Sequence, residues 1–272
     1  MRIIVDNLNK IYAENDSAVC IEFDSGVKKT LGRKKGCDIV MSIQELMTLH
    51  QTMNRFVQNL KHTYSPKVFS VSSMDEAKSI ILTNEGQDST EERWRKETPA
   101  LVSMIESEWK LGEGVTVVDY GCGIGRMSKE LCRLGCTVVG VDMSPEMRGL
   151  AVKYVDDGRF SVVSPEEFDK MVENGFRCDH AMTVWVLQHC LNPLEDIDRI
   201  KASLNAGGGL FVVNNKDSRA IPVVTGEWVS DGLDIWQMLA RNFGDGKVLD
   251  FPEGVGIDSR NYQCGFYKKI QA

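Results

Sequence analysis

The 272-residue sequence lacks a long hydrophobic run, an internal repeat and any low-complexity tract. No apolar stretch approaches the ~20 residues that a bilayer-spanning helix needs. The first residues reach Asp6 after three consecutive apolar residues, so they lack the apolar core of a signal peptide. We therefore expect a soluble, cytoplasmic protein with no membrane partner.

Paired cysteine motifs are also missing. The eight cysteines are scattered, with no C-x-x-C pair and no Cys/His cluster at zinc spacing. Cys132 and Cys136 lie four apart on a predicted helix, but no second half-site accompanies them, so no metal is expected. A chain of this length does not need disulfides to be stable, which favours reduced thiols in a cytosolic compartment.

An excess of positive charge is absent as well. The formal net charge is −7, from 32 basic and 39 acidic residues, and this argues against nucleic acid as a partner. The basic run that includes Lys28, Lys29 and Arg33 to Lys35 is interpreted as a solvated hairpin. The balance favours a small-molecule substrate and leaves a homodimer open.

The first 84 residues differ in pattern from the rest of the chain. Short apolar bursts predict strands near residues 3–5, 19–23 and 38–41, and Asp24-Ser25-Gly26 predicts a hairpin turn. Ser42 begins a segment of helical periodicity that continues to Leu60. The polar stretch 84–90 follows, so the sequence predicts an α+β appendage or lid over 1–84 and a second domain over 85–272.

From Trp94 onward, predicted helices and strands alternate. A helix is expected to open at Thr98-Pro99, because proline is favoured in a first helical turn. Short apolar runs predict strands at 115–118, 137–141, 160–163, 180–184 and 209–213, with helices between them. Repeated β-α units with short loops predict an α/β fold with a doubly wound, mostly parallel sheet.

A glycine-rich turn follows the first of these strands. Gly121, Gly123 and Gly125 would let the backbone approach a ligand, and the next helix begins directly after them. The spacing is not that of a dinucleotide site, and Asp119 stands two residues before the first glycine. A carboxylate there would repel a diphosphate but suits a cationic amino group, so the pattern predicts a ligand with an amino acid moiety.

The second strand also ends in an acid. Asp142 at this position can accept hydrogen bonds from the two hydroxyls of a ribose. Met143, which follows it, can pack on the face of a purine. A nucleoside joined to an amino acid is S-adenosylmethionine in outline.

With these residues the chain resembles the class I S-adenosylmethionine-dependent methyltransferases over about residues 93–214. The segments that carry the resemblance are Val117–Arg126, Val141–Ser144, Cys178–His189 and Gly207–Val213. The resemblance implies a seven-stranded Rossmann-like sheet whose last strand, near 262–269, is antiparallel. It implies S-adenosylmethionine as the cofactor, held by Asp119, Gly121, Cys122, Gly123, Asp142, Met143, Ser164, Pro165, Thr183 and Val184.

Ser164 departs from the family pattern, which often has an acid after the third strand to bond the adenine amino group. That contact could come from the Ser164 hydroxyl, from the backbone near Pro165, or from Glu166. His189 follows the fourth strand and is the candidate general base, with a backbone-bonded structural histidine as the competing interpretation. Trp94 is a candidate for a segment that folds over the cofactor.

The function predicted from these patterns is methyl transfer from S-adenosylmethionine to an oxygen or nitrogen nucleophile of a small molecule. Residues 183–186 read Thr-Val-Trp-Val, which lacks the Asp/Asn-Pro-Pro-Tyr/Phe signature of DNA amino-methyltransferases. RNA or protein acceptors remain alternatives, as does a catalytically silent cofactor-binding module.

Overall fold

The structure is a computed structural model that describes residues 63–269, apart from 86–87, 253 and 256–258, and five strands within the first 40 residues. The chain divides into two compact units. The smaller unit comprises residues 1–64 with 223–227, and the larger unit comprises 65–222 with 228–272. No described helix is both long enough and apolar enough to cross a bilayer.

The described part of the smaller unit consists mainly of short strands. They are β1 (Ile3–Ile4), β2 (Leu8–Asn15), β3 (Ala18–Phe23), β4 (Lys28–Leu31) and β5 (Ile39–Val40). β2, β3 and β4 form an antiparallel sheet, and β1 pairs with β5 in parallel. Glu22 of β3 pairs with Lys28 of β4, and the turn predicted at 24–26 between them lies outside the described residues. The helix predicted over 42–60 lies outside the described residues.

The larger unit alternates helices and strands along the chain. Its helices are α1 (Met74–Ile81), α2 (Thr90–Glu108), α3 (Arg126–Arg133), α4 (Pro145–Val155), α5 (Pro165–Glu173), α6 (Pro193–Ser203) and α7 (Ile235–Phe243). Its strands are β6 (Thr116–Tyr120), β7 (Thr137–Val141), β8 (Phe160–Val163), β9 (Cys178–Val184), β10 (Leu204–Asn215), β11 (Ile221–Pro222), β12 (Trp228–Val229), β13 (Lys247–Asp250) and β14 (Tyr262–Lys268).

Seven of these strands form one sheet in the order β13-β14-β10-β9-β6-β7-β8. β6 to β10 pair in parallel, and β14 runs antiparallel to both of its neighbours. The predicted seven-stranded, mostly parallel Rossmann-like sheet with an antiparallel last strand is therefore confirmed. The chain leaves β6 in one direction towards β7 and returns on its other side at β9, so the sheet switches direction between β6 and β9. Ligands of such folds bind at this point, beyond the carboxyl ends of the strands.

Helices cover both faces of the sheet. On one face, Leu101 and Ile105 of α2 and Leu131 of α3 are fully buried against the strands. On the other face, residues of α5, α6 and α7, such as Phe168 and Ile197, fill a second core. Because both faces are covered, the central strands can be apolar throughout, which is the pattern that identified them in the sequence.

The start of α2 differs from the prediction. A helix was expected to open at Thr98-Pro99, but α2 begins at Thr90 and Pro99 lies inside it. The reason is a capping box: Ser89 accepts from the backbone N–H of Glu92, whose side chain accepts from the N–H of Ser89. Pro99 is on the exposed side of the helix, where water can bond the carbonyl that lacks its helical donor.

The division between the units also lies earlier than the predicted boundary at 84. Residues 65–84 pack within the larger unit, where Val71 and Ala77 are buried in one cluster with Ile124 and Met147. Helix α1 thus contributes to the core beside the glycine-rich turn. The proposed role of the amino-terminal region as an appendage or lid stays a prediction.

Candidate cofactor crevice

The glycine loop, residues 121–125, follows β6 at the carboxyl edge of the sheet. Gly121, Gly123 and Gly125 have φ angles of +76°, +55° and +81°, a region that side chains disfavour. Space is also restricted, because a Cβ on Gly121 would lie 2.3 Å from Cγ2 of Val186, and one on Gly123 would lie 2.7 Å from Cδ1 of Ile81. Both the backbone angles and the packing therefore require glycine here.

Asp142 follows β7 and is bonded to this loop. Its Oδ2 accepts from the backbone N–H of Gly123 at 2.8 Å, and its Oδ1 accepts from the N–H of Ser144 at 2.9 Å. Each carboxylate oxygen keeps a further lone pair for a ligand hydroxyl. Burial raises the pKa of Asp142, although the two backbone N–H groups favour its charged form. The geometry suits a carboxylate that is held in place to receive the hydroxyls of a ribose.

Asp119 lies beneath the loop near the end of β6. The side chain is buried, and its Oδ2 accepts from the Ser128 hydroxyl of α3 at 2.6 Å. Burial raises its pKa to about 6, while Ser128 and Arg126 act in the opposite direction. Its predicted contact with a cationic amino group stays a prediction.

The adenine side of the predicted site lies at the ends of β7 and β8. Met143 is 47% exposed, which leaves its side chain available to a ligand. Ser164 caps α5, with Pro165 in the first turn, and it forms a capping box with Glu167. The S-x-x-E spacing typical of a capping box is present at 164–167, but this cap was not predicted from the sequence. The Ser164 hydroxyl accepts from the Glu167 N–H. The backbone N–H of Glu166 and the Ser164 hydroxyl lower the pKa of the Glu166 carboxyl.

The remaining predicted cofactor residues are more deeply placed. Cys122 is buried, and burial raises the pKa of its thiol, which argues for a neutral, packed side chain. Thr183 is fully buried in β9, and its Oγ1 has no hydrogen-bond partner among the described residues. Val184, the last residue of β9, is half-buried at the crevice edge.

His189 lies in the post-β9 segment, residues 185–190. Its Nδ1 is 2.5 Å from the carbonyl oxygen of Ala220, so this nitrogen carries the proton and donates it. The other ring nitrogen, Nε2, then accepts from the Gln188 side-chain amide at 3.2 Å. Burial lowers the pKa of His189 to about 4. The imidazole is therefore neutral at pH 7, with both nitrogens engaged.

Two aromatic rings flank His189. The ring centroid of Trp228 lies 4.9 Å from that of His189, and the Phe69 ring lies 5.7 Å from it in an edge contact. Trp228 is 46% exposed, so one face of this group is open. The backbone N–H of His189 donates to the carbonyl of Val186, and Val186 packs on Gly121 of the glycine loop. We call Phe69, His189 and Trp228 the aromatic wall.

A buried charged cluster beside the crevice was missed from the sequence. Glu97 of α2 is fully buried and forms ion pairs with Arg93 at 3.1 Å and Arg126 at 3.0 Å. Trp185 donates its indole N–H to the same carboxylate at 2.7 Å. The i,i+4 spacing of Arg93 and Glu97 was visible, but such pairs are usually solvated, so nothing in the sequence marked this one as buried.

Other predicted candidates have structural surroundings. His180 stacks on Trp109 with ring centroids 4.3 Å apart, and burial lowers its pKa. Trp94 lies within α2 and donates its indole N–H to the Tyr154 hydroxyl at 3.1 Å. In the described part of the chain, no group of three or more His, Cys, Asp or Glu side chains could hold a metal ion.

Comparison with known families agrees with this geometry. Residues 87–242, more than half of the chain, match the family described as "Methyltransferase domain". The chain belongs to this family. The class I S-adenosylmethionine-dependent methyltransferase assignment made from the four motifs is confirmed. The matched residues belong to the larger unit, apart from 223–227.

Similar proteins include several described as ubiquinone biosynthesis O-methyltransferase. The one from a Methylobacterium species is 29% identical over 132 residues, which are 46% of this chain and 53% of the relative. The one from Actinobacillus pleuropneumoniae is 33% identical over 104 residues, 36% of this chain and 44% of the relative. The chain thus spans about half the length of these relatives.

A solved structure shares the fold. Magnesium protoporphyrin IX methyltransferase from Synechocystis PCC 6803, solved with bound S-adenosylhomocysteine, superposes with a TM-score of 0.53. The match covers 75% of this chain and 96% of that one, at 16% sequence identity. At this identity the likeness shows the fold alone.

Proposed function

We propose that the larger unit binds S-adenosylmethionine and transfers its methyl group to an oxygen or nitrogen nucleophile of a small molecule. The observation that carries the proposal is the Asp142 carboxylate, bonded to the N–H groups of Gly123 and Ser144 at the carboxyl edge of the sheet. This arrangement keeps a carboxylate with free lone pairs beside the glycine loop, at the edge of the sheet where ligands of such folds bind. The names of the relatives favour oxygen as the acceptor atom.

The residues present fit the cofactor. Asp142 would hold the ribose, Met143 would pack on the adenine, and the glycine loop with Asp119 beneath it would receive the amino acid part. Ser164, at the amino terminus of α5, would lie on the adenine side of the crevice. When bound, S-adenosylmethionine supplies a methyl group on a sulfonium, an electrophile with a neutral leaving group.

The aromatic wall is the surface that we assign to the methyl acceptor. Trp228 presents a half-open ring, which suits a flat, weakly polar molecule. The main task of the chain is then to position the nucleophile within ~3–3.5 Å of the methyl carbon. Such positioning alone can supply a large part of the rate.

His189 is the proposed general base. Its protonated Nδ1 is fixed by Ala220, so only Nε2 can take a proton from an acceptor hydroxyl. The Gln188 amide must turn away before Nε2 is free. With a pKa of about 4, the imidazole is neutral at pH 7 and can accept a proton, but it is a weak base. This arrangement suits an acidic acceptor such as a phenol better than an alcohol.

The primary test is calorimetric titration of the full chain with S-adenosylhomocysteine. Asp142→Ala is expected to weaken binding by about 1.5–3 kcal/mol, the scale of hydrogen bonds to a charged group. Asp157→Ala is the matched control, since Asp157 pairs with Arg159 at the surface. Equal affinity in wild type and Asp142→Ala would overturn the ribose assignment, and no binding by wild type would overturn the cofactor.

A second assay separates an enzyme from a silent binding module. Formation of S-adenosylhomocysteine from S-adenosylmethionine is measured with a set of small hydroxylated aromatic molecules, beginning with catechol. Turnover with any of them supports the proposal. Binding of the cofactor with no turnover on small molecules, but methylation of added RNA or protein, would replace the proposed acceptor class.

We also propose a cytoplasmic location, because the six described cysteines are free thiols, as a reducing compartment maintains them. A homodimer remains a proposal to be tested by sedimentation of the purified chain. A single species at monomer mass would contradict it.

A further inference from the structure

The inference starts from Glu97, which is buried without contact to water. Its Oε1 receives the indole N–H of Trp185 at 2.7 Å and the Arg126 guanidinium at 3.0 Å, and its Oε2 receives Arg93 at 3.1 Å. Arg93 also donates to the carbonyl of Thr83 at 2.7 Å. A buried carboxylate with three charge-assisted or indole donors is fixed in position, since any movement would leave buried groups unpaired.

Two of these donors belong to the two chain segments that form the crevice. Arg126 is the residue directly after the glycine loop and begins α3. Trp185 is the first residue after β9, and its neighbour Val186 packs on Gly121. One carboxylate on α2 therefore ties the glycine loop to the post-β9 segment.

Trp185 is held in a conformation that a bulky residue rarely adopts. Its φ is +63°, in the left-handed region, where such a residue is strained. Three interactions hold it there: the bond to Glu97, the backbone N–H donation to Val213 at 2.9 Å, and ring contacts. The rings of Tyr262 and Phe251 lie 5.0 Å and 5.3 Å from it. Strained residues that the surroundings hold in place are concentrated at functional sites.

We propose that Glu97 is a positioning residue for the cofactor crevice. It holds Trp185 in the left-handed conformation and Arg126 at the end of the glycine loop, and so sets Val186 against Gly121. Glu97 itself does not touch the cofactor. The inference rests on the proposed function, because it concerns the affinity of the same crevice.

The test is calorimetric titration of S-adenosylhomocysteine into the full chain and two single variants, with thermal unfolding measured in parallel. Trp185→Phe keeps a ring for Tyr262 and Phe251 but loses the indole N–H. We expect it to weaken binding by about five- to twentyfold, consistent with a lost hydrogen bond to a charged group. Glu97→Gln should weaken binding at least as much, because it removes the ion-pair partner of Arg126 and one of the two carboxylates that pair with Arg93.

A double variant and a control sharpen the test. The double variant combines Glu97→Gln with Trp185→Phe. If Glu97 acts through Trp185, this variant binds about as weakly as Glu97→Gln alone, because the bond between the two side chains is already lost. Trp236→Phe is the matched control, since it also loses one indole N–H bond, to the carbonyl of Asn215 at 2.9 Å. It should keep the affinity within about twofold.

The outcomes are distinguishable. If wild type binds S-adenosylhomocysteine and Trp185→Phe binds it equally well, the positioning role is overturned whatever the melting temperature. If Glu97→Gln fails to fold, Trp185→Phe carries the test alone. If Trp185→Phe and Trp236→Phe lower the melting temperature equally, only Trp185→Phe should weaken binding, because a residue needed only for stability would not change the affinity of the folded chain. Failure of wild type to bind contradicts the proposed function instead.

Discussion

The glycine loop and the post-β9 segment border the same crevice, yet they are held by different kinds of contact. The glycine loop is held largely through the backbone: Gly121 and Cys122 donate to the carbonyl of Val141, and Gly123 donates to Asp142. The post-β9 segment is held largely through its own side chains, which bond to distant parts of the chain. Trp185 bonds to a residue 88 positions away, and His189 bonds to one 31 positions away.

This difference explains why the glycine loop is easier to recognise in the amino-acid sequence than the contacts of the post-β9 segment. Contacts made by the backbone depend on glycines and strand ends at short, regular spacing. Contacts made by side chains depend on the tertiary fold and can be exchanged for others. We expect substitutions in the glycine loop to act on cofactor binding and stability. In the post-β9 segment, we expect substitutions of Trp185 to act on cofactor binding and substitutions of His189 to act on turnover.

The largest expected effect is on turnover in His189→Ala. If His189 is the base, kcat falls by about 10²–10⁴-fold, while affinity for S-adenosylhomocysteine changes by only a few-fold. Because the pKa of His189 is lowered to about 4, kcat in wild type should rise with pH through about 4 and stay level between pH 6 and 8. The loss of kcat and its pH dependence are measured with the S-adenosylhomocysteine formation assay.

His189→Asn is the companion variant, since it can keep a donor towards Ala220. If either His189 variant retains more than about a tenth of wild-type kcat, His189 is structural and positioning of the nucleophile carries the reaction. The contrast between the two sides would then be weaker than proposed.

The next effect is the pH dependence of stability through Asp119. Its folded pKa of about 6 is above the unfolded value, so its protonated form stabilises the fold. That contribution is fully present below about pH 3.8 and is lost as pH rises through about 6. The loss is at most about 3 kcal/mol for a shift of this size. Urea unfolding of Asp119→Asn, which cannot ionise, should show a smaller decline over this range than wild type.

Asp157→Asn is the control of opposite sign. Pairing with Arg159 lowers the pKa of Asp157 to about 2, so its contribution is lost as pH falls, not as it rises. Identical pH profiles for wild type and Asp119→Asn would mean that the buried carboxyl does not titrate in this range.

A smaller effect, on stability, is expected where the glycine loop contacts the post-β9 segment. Gly121→Ala places a Cβ against Val186 at a backbone φ of +76°, and we expect a loss of about 2 kcal/mol in the free energy of unfolding. Gly149→Ala is the control, because Gly149 lies in α4 with no atom near the added methyl group. It should be neutral or slightly stabilising. Equal stability of the two variants would argue against the close packing of Val186 on the loop.

The smallest effect is expected at the amino terminus of α5. Ser164→Ala removes the cap of this helix and should lower stability by about 1 kcal/mol. If the Ser164 hydroxyl also bonds the adenine, affinity for S-adenosylhomocysteine falls by a further few-fold, whereas Glu166→Gln leaves it unchanged. The reverse result would assign the adenine contact to Glu166.

Much of the larger unit could be predicted from its sequence. Strands β7 and β8 have the predicted bounds, because short apolar runs mark them locally. The start of α2 was wrong, since proline was given more weight than the Ser89–Glu92 capping box. The bounds of the units were displaced as well, because only packing shows that α1 belongs with Ile124 and Met147.

The sequence by itself determined the sheet, the glycine loop and the acid after β7. These features follow from short-range rules: apolar runs form buried strands, glycine permits positive φ, and strand ends in parallel sheets share one edge. Only the tertiary structure decided that Glu97 is buried between two arginines, that Trp185 is left-handed, and that His189 is neutral with both nitrogens bonded. Each of these depends on which distant side chains meet and on how much water they exclude, and neither is encoded in local spacing.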